Sequence, residues 1–143
     1  MVKASQDRRT KVLFVCIGNS CRSQIAEALA RHLASDVIEP VSAGLSPLGS
    51  IAEGTRKVLR ERGIFLGEQY SKGLNEISIQ DADLIVNMTG MPGKALFAEA
   101  EVVDWDIRDP YGEDMLIYRE VCEEIEERLA QLAAELRSRQ AAT

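Results

Sequence analysis

The chain has no apolar run approaching the roughly 18 residues that a membrane-spanning helix needs. Its opening, Met1-Val2-Lys3-Ala4-Ser5-Gln6-Asp7-Arg8-Arg9, holds no hydrophobic segment of the signal-peptide kind. Both absences predict a cytoplasmic protein with no membrane partner. Basic excess is missing too: 17 Lys and Arg stand against 23 Asp and Glu, for a formal net charge of −6. That excludes the broad positive surface of a general nucleic-acid binder, although it leaves room for a local positive site. Cysteines number three, Cys16, Cys21 and Cys122, an odd set at uneven spacing that does not make a secreted disulfide framework. With one histidine, His32, and no Cys-x2-Cys pair, the chain does not spell a zinc site either, and no metal or organic cofactor is expected. Internal repeats, low-complexity tracts and linkers are absent. What is present is a 143-residue chain, 45% hydrophobic and 28% charged, which fits one globular domain over residues 1–143, with polar residues 1–10 as a flexible lead-in.

The apolar pattern predicts an α/β architecture. Val12-Leu13-Phe14-Val15 is a continuous apolar run, as in a parallel strand buried on both faces. Ile25, Ala28, Leu29 and Leu33 recur at helical spacing, predicting a helix over 23–34. Residues 37–42 fit a strand that Pro40 confines to a sheet edge. Ser50-Ile51-Ala52-Glu53 has capping-box form and Gly63 is a stop signal, predicting a helix over about 51–62. Residues 84–86 and 102–103 read as further strands, separated by a Gly/Pro turn and a short helical piece near 94–98; residues 71–82 read as a weak helix. From Tyr118 onward, Val121, Cys122, Ile125, Leu129, Leu132 and Leu136 share one face of a long helix, with Glu123, Glu124, Glu126 and Glu127 on its solvated side. Strands alternating with helices imply a doubly wound, four-stranded parallel sheet with helices on both faces, whose ligand site lies beyond the carboxyl ends of the strands.

The loop after the first strand occupies that place. It reads Cys16-Ile17-Gly18-Asn19-Ser20-Cys21-Arg22-Ser23. A loop entering a helix offers unpaired N–H groups and the positive end of the helix dipole, a combination that binds oxyanions. Gly18 permits positive φ and Asn19 tolerates the left-handed region, so the loop is expected to curl with its amides inward. Arg22 adds a planar fork that matches two oxygens of a phosphate-like ligand. The same groups favour the anionic form of Cys16, making it a nucleophile at the centre of an anion cradle, with Ser23 placed to donate to its sulfur. Cys21, five residues on, is a redox partner for an oxidised Cys16 or a small residue filling the space beneath the loop. His32 reads as a helix surface residue and Cys122 as packing.

The strand ending in Cys16, the run Cys-x-Gly-Asn-Ser-Cys-Arg-Ser, Ser42-Ala43-Gly44 and Asp109-Pro110-Tyr111 together resemble the low-molecular-weight protein tyrosine phosphatases and the related thioredoxin-coupled arsenate reductases. The similarity runs from Lys11 to the last helix. It implies Cys16 as nucleophile, Arg22 and the loop amides of residues 17–23 as phosphate holders, Asn19 and Ser42 as loop supports, Ser23 as a helper of the thiolate and Asp109 as general acid. Pro110 restricts Asp109 to extended backbone, which aims its side chain; Asp104, Asp106 and Asp114 are nearby competitors.

The resemblance divides between two activities. Ser20, Gln24 and Glu68-Gln69-Tyr70-Ser71-Lys72 look like the arsenate reductases, but Asn87-Met88-Thr89-Gly90-Met91-Pro92 lacks the relay cysteines of that group. Asp109-Pro110-Tyr111 is phosphatase-like, although Gly112 stands where a second tyrosine is common, and Leu45-Ser46-Pro47-Leu48 holds no aromatic residue. A substrate ring would pack on Tyr111, Ile17 and Leu48 only. The expectation is a phosphomonoester phosphatase of protein tyrosine type that forms a phosphocysteine, acting on a phosphorylated protein or a small phosphomonoester. The alternatives are an arsenate reductase supplied with an external thiol reductant and an idle oxyanion-binding regulatory module.

Overall fold

The computed structural model describes residues 8–142. Four parallel strands, β1 (Thr10–Cys16), β2 (Ile38–Gly44), β3 (Leu84–Asn87) and β4 (Val102–Asp104), form one sheet in the order β2-β1-β3-β4. Helices α1 (Arg22–Leu33), α2 (Glu53–Glu61), α3 (Gly93–Leu96) and α4 (Met115–Ala142) complete the described fold. β1 is central and buried from Val12 to Cys16, as its unbroken apolar run requires. Its side chains alternate between two cores, the period-2 geometry of a strand. Val12, Phe14 and Cys16 face α1, α2 and α4, with Phe14 and Trp105 ring centroids 6.1 Å apart; Leu13 and Val15 face the side that carries α3 and Phe97. β2 is an edge strand, and Pro40 sits within it opposite Val12, where its missing N–H breaks no pairing with a further strand. The chain turns to one neighbour of β1 through β2 and to the other through β3, so the loop leaving Cys16 lies at the switch point of the sheet.

Three local expectations are corrected. The capping box at Ser50 does not form: α2 starts at Glu53 with Ala52 as its N-cap and without a side-chain cap. The Ala52 N–H instead reaches the Ser20 carbonyl at 3.2 Å, so the approach to α2 is set by the loop after β1. The stop signal holds. Gly63 is at φ +74, its N–H donates to Arg60 O and the Ile64 N–H donates to Leu59 O, a Schellman ending. Residues 71–82 form two single 3₁₀ turns, Leu74–Glu76 and Ile79–Asp81, in place of one helix. Leu74, Ile77, Ile79 and Ala82 pack on the second sheet face at uneven spacing, which no continuous helix could present. α4 starts three residues before Tyr118, and the first strand starts at Thr10, inside the expected lead-in, of which residues 1–7 lie outside the described residues. Among the described residues no helix is long and apolar enough to cross a membrane.

α4 buries Tyr118, Val121, Cys122, Ile125, Leu129, Ala133 and Leu136. The acidic side stays outward; Glu126 pairs with Arg62, and Arg119 grips Glu61 of α2 at 3.0 and 2.7 Å.

Candidate active site

Cys16 ends the most buried strand and Arg22 opens α1, so residues 17–21 must turn sharply between two fixed elements. Asn19, at φ 49, makes the turn. Gly18 is not in the positive-φ region, contrary to expectation; a Cβ there would come within 2.9 Å of Leu48 Cγ, so its smallness serves close approach. Gly44 has a role that the sequence does not announce. A Cβ on it would sit 2.6 Å from the Ile17 carbonyl and 2.8 Å from the Asn19 nitrogen, both backbone atoms.

The loop carbonyls are engaged from outside. Leu45 N–H donates to Cys16 O (3.1 Å), Ser46 N–H to Ile17 O (2.8 Å), Leu48 N–H to Gly18 O (3.0 Å), and Thr55 Oγ1 to Ser20 O (2.8 Å). In a trans peptide the following N–H points opposite to the carbonyl, and the described chain has no cis peptide. The N–H groups of Ile17, Gly18, Asn19 and Cys21 are therefore directed to the other side, into the concavity. Such an arrangement of amides can hold an oxyanion.

Inside it, Cys16 is 2% exposed and its Sγ lies 3.0 Å from Ser23 Oγ. Asn19 Nδ2 donates to Ser23 Oγ at 2.7 Å and to Ser42 Oγ at 3.0 Å, and Ser42 donates to Glu27 Oε1 at 2.6 Å. Glu27 and Lys72, both buried, are not among the site residues predicted from the sequence. Burial pulls the Lys72 ammonium below its ordinary range, and the nearby Glu27 carboxylate opposes that. Arg22 uses Nη1 as an anchor, donating to Met88 O (2.6 Å) and Ile107 O (3.2 Å). Its Nη2 lies 3.7 Å from Asp109 Oδ2, and its buried Nε has no hydrogen-bond partner. Ser20 Oγ is likewise buried without a partner.

A cavity of about 180 Å³ opens over these groups. Cys16, Ser20, Cys21 and Arg22 line its depth, with Ile17, Leu48, Asp109 and Tyr111 also in its wall. Asp109 is exposed, and its Oδ1 accepts the Tyr111 N–H at 3.1 Å. The competing carboxylates are elsewhere: Asp104 holds Asn87 Nδ2 and the Gly93 N–H, Asp114 accepts the Ile117 N–H at the start of α4, and Asp106 is outside the cavity. Cys21 contacts the Tyr118 hydroxyl at 3.3 Å, and burial pushes its thiol and the Tyr118 phenol upward. Cys122 is fully buried in α4, with its thiol pushed up to about 11 by burial, and His32 is an exposed helix residue. Among the described residues no group of three or more His, Cys, Asp or Glu is arranged to hold a metal ion.

The chain is similar to known proteins over most of its length. The family model described as low molecular weight phosphotyrosine protein phosphatase matches residues 11–142. The glutaredoxin arsenate reductase of Synechocystis sp. is 31% identical over 130 residues, covering 88% of this chain and 98% of that protein. The protein-arginine-phosphatase of Bacillus subtilis is 34% identical over 145 residues, covering 88% and 96%. Among solved structures, an arginine phosphatase from Geobacillus stearothermophilus is similar at a TM-score of 0.79 and 29% identity, over 93% of this chain and 96% of that one. An arsenate reductase in a phosphate-binding state is similar at 0.78 and 30%, over 89% and 98%.

Proposed function

The chain belongs to the low molecular weight phosphotyrosine protein phosphatase family, and from that premise we propose that it hydrolyses phosphomonoesters through a phosphocysteine formed on Cys16. Cys16 Sγ attacks phosphorus and forms the P–S bond as the P–O bond to the leaving group breaks. Asp109 gives its proton to the departing oxygen, while Arg22 and the inward N–H groups hold the equatorial oxygens. Water then attacks phosphorus, Asp109 takes its proton, the P–S bond breaks, and Cys16 leaves as a thiolate that receives a hydrogen bond from Ser23. The observation that carries this reading is Arg22. One nitrogen is anchored on two carbonyls, the buried Nε is unpaired, and Nη2 lies 3.7 Å from Asp109 Oδ2, in a residue that lines the same cavity as Cys16. The substrate is a phosphorylated protein or a small phosphomonoester. The wall offers only Ile17, Leu48 and Tyr111 to a ring, and the unpartnered Ser20 hydroxyl would also suit a phosphorus–nitrogen bond, as in phosphoarginine. A working thiolate fits the reducing cytoplasm expected from the sequence. Cys21 is proposed as the thiol that captures an oxidised Cys16.

A second reading, arsenate reduction, is favoured by the names of several relatives. In this chain, residues 87–93 hold no cysteine and Cys122 is sealed in α4. The two electrons that take As(V) to As(III) would then come from an external thiol pair, oxidised to a disulfide.

The test compares wild type, Cys16→Ser and Asp109→Asn on an activated aryl phosphate, an alkyl phosphate, phosphoarginine, and arsenate with added thiols. Cys16→Ser should lose turnover yet still bind phosphate. Asp109→Asn should slow the alkyl phosphate by about 10²-fold or more and the activated aryl phosphate less. Substantial turnover by Cys16→Ser would remove the covalent mechanism; equal losses on both esters would remove Asp109 as the acid.

A further inference from the structure

Gln24 has no part in the steps above, yet it is a fully buried polar side chain in the first turn of α1. Its Nε2 donates to Asn19 Oδ1 at 2.8 Å, to the Asn19 carbonyl at 3.2 Å and to the Tyr70 carbonyl at 3.0 Å. Its Oε1 accepts from Gln69 Nε2 at 2.7 Å. Three acceptors around the nitrogen and a donor at the oxygen leave the amide one orientation. An aliphatic side chain would fill this position without the desolvation cost of an amide, so what the amide adds is its bonds.

Those bonds set a direction that reaches the sulfur. Asn19 Oδ1 accepts from Gln24 and from the Lys72 N–H at 2.9 Å, so Asn19 Nδ2 must face Ser23 and Ser42. Ser42 commits its proton to Glu27, and Ser23 accepts from Asn19. The single hydroxyl proton of Ser23 is thereby left for Cys16 Sγ, 3.0 Å away. We propose that Gln24 is a positioning residue for the nucleophile: it holds Asn19 in its left-handed turn and in one amide orientation, so that Ser23 donates to the Cys16 sulfur. Gln69, on a part-buried loop, holds Gln24 in turn and continues the chain of bonds to Arg31 Nη1 at 3.0 Å. The inference rests on Cys16 being the nucleophile.

The experiment follows alkylation of Cys16 by iodoacetamide against pH, located by mass spectrometry, alongside kcat and KM on an aryl phosphate and thermal unfolding. Alkylation reads the sulfur without turnover, so a wild type inert toward aryl phosphate would sink the phosphatase reading and leave this one testable. Gln24→Met keeps length and bulk but has no donor. It should move half-alkylation upward by about half a pH unit and lower kcat by about threefold to tenfold, with KM little changed, the scale of one lost hydrogen bond. Gln24→Glu keeps the acceptor for Gln69 and offers Asn19 a proton only when its carboxyl is protonated. Its kcat relative to wild type should therefore rise as pH falls, which a packing role would not produce. Should Gln24→Met fail to fold, Gln69→Met should shift alkylation the same way by less. A folded Gln24→Met with the wild-type alkylation profile, or a pH-independent ratio for Gln24→Glu, overturns the proposal.

Discussion

Cys16 and Cys21 line one cavity, yet their surroundings differ. Cys16 lies 3.0 Å from the Ser23 hydroxyl, whereas Cys21 faces the Tyr118 phenol and is pushed upward by burial. Burial thus favours the protonated form of Cys21, which is less open to peroxide than a thiolate, as suits the proposed capture thiol. With peroxide as oxidant, Cys16 becomes a sulfenic acid, and attack by Cys21 expels water and leaves a disulfide that a dithiol reduces. The expected outcome is that wild type recovers activity with dithiothreitol after a peroxide pulse, while Cys21→Ser recovers several-fold less and shows irreversible Cys16 oxidation by mass spectrometry. Equal recovery, with no Cys16–Cys21 bridge detected, would leave Cys21 a packing residue.

Between elements, the junction of β2 with the loop after β1 is the tightest contact of the site. Gly44→Ala would drive a Cβ into the Ile17 carbonyl and the Asn19 nitrogen, and neither backbone atom can swing away as a side-chain tip could. A loss of about 1–3 kcal/mol in stability is expected from the overpacking. A fall of about 10²-fold in kcat/KM is expected from the displaced cradle. Chemical denaturation and steady-state kinetics check the two, and an alanine variant with wild-type kinetics would refute the close-approach account. This junction also marks the limit of what the sequence discloses. The unbroken run Val12–Val15, the helical spacing of Ile25, Ala28 and Leu29, and the Pro40 edge strand are local patterns, and each is found where expected. That Cys16, Arg22 and Asp109 meet in one cavity was legible because a strand, a loop and a late Asp-Pro carry them; their roles are those proposed above. The Ser50 cap failed because a partner distant in sequence, the Ser20 carbonyl, took the Ala52 N–H. Gly18 was assigned the turn that Asn19 makes, because glycine signals freedom of backbone and closeness of approach with the same letter. Glu27 stayed hidden, and Gln24 and Lys72 were noticed only through the resemblance, since their bonds run to residues 15 to 53 positions away or beneath a curl that periodicity does not describe.

Across the whole molecule, α4 seals the first core, in which Cys122 is fully buried. Burial raises that thiol from 9.0 to about 11, so the folded state keeps its proton where the unfolded chain has lost it. The contribution is fully present below about pH 9 and is lost as pH rises toward about 11; Cys21, also raised, adds in the same direction. Urea unfolding between pH 8 and 11 should show stability falling above pH 9, and Cys122→Ala should be less stable at pH 8 but lose less over that interval. An unchanged slope in the variant would assign the decline to other groups. The central place of β1 bears on hydrogen exchange as well. Cys16 ends the buried strand whose residues Val12–Val15 are paired on both sides, so exchange is expected to be slow there. Asp109 is itself exposed, on the connection between β4 and α4 outside any helix or strand, where amides are expected to exchange through smaller local openings. Cys16 is thus expected among the slower-exchanging positions and Asp109 among the faster, so that an oxyanion bound as proposed would meet one fixed wall and one that can adjust.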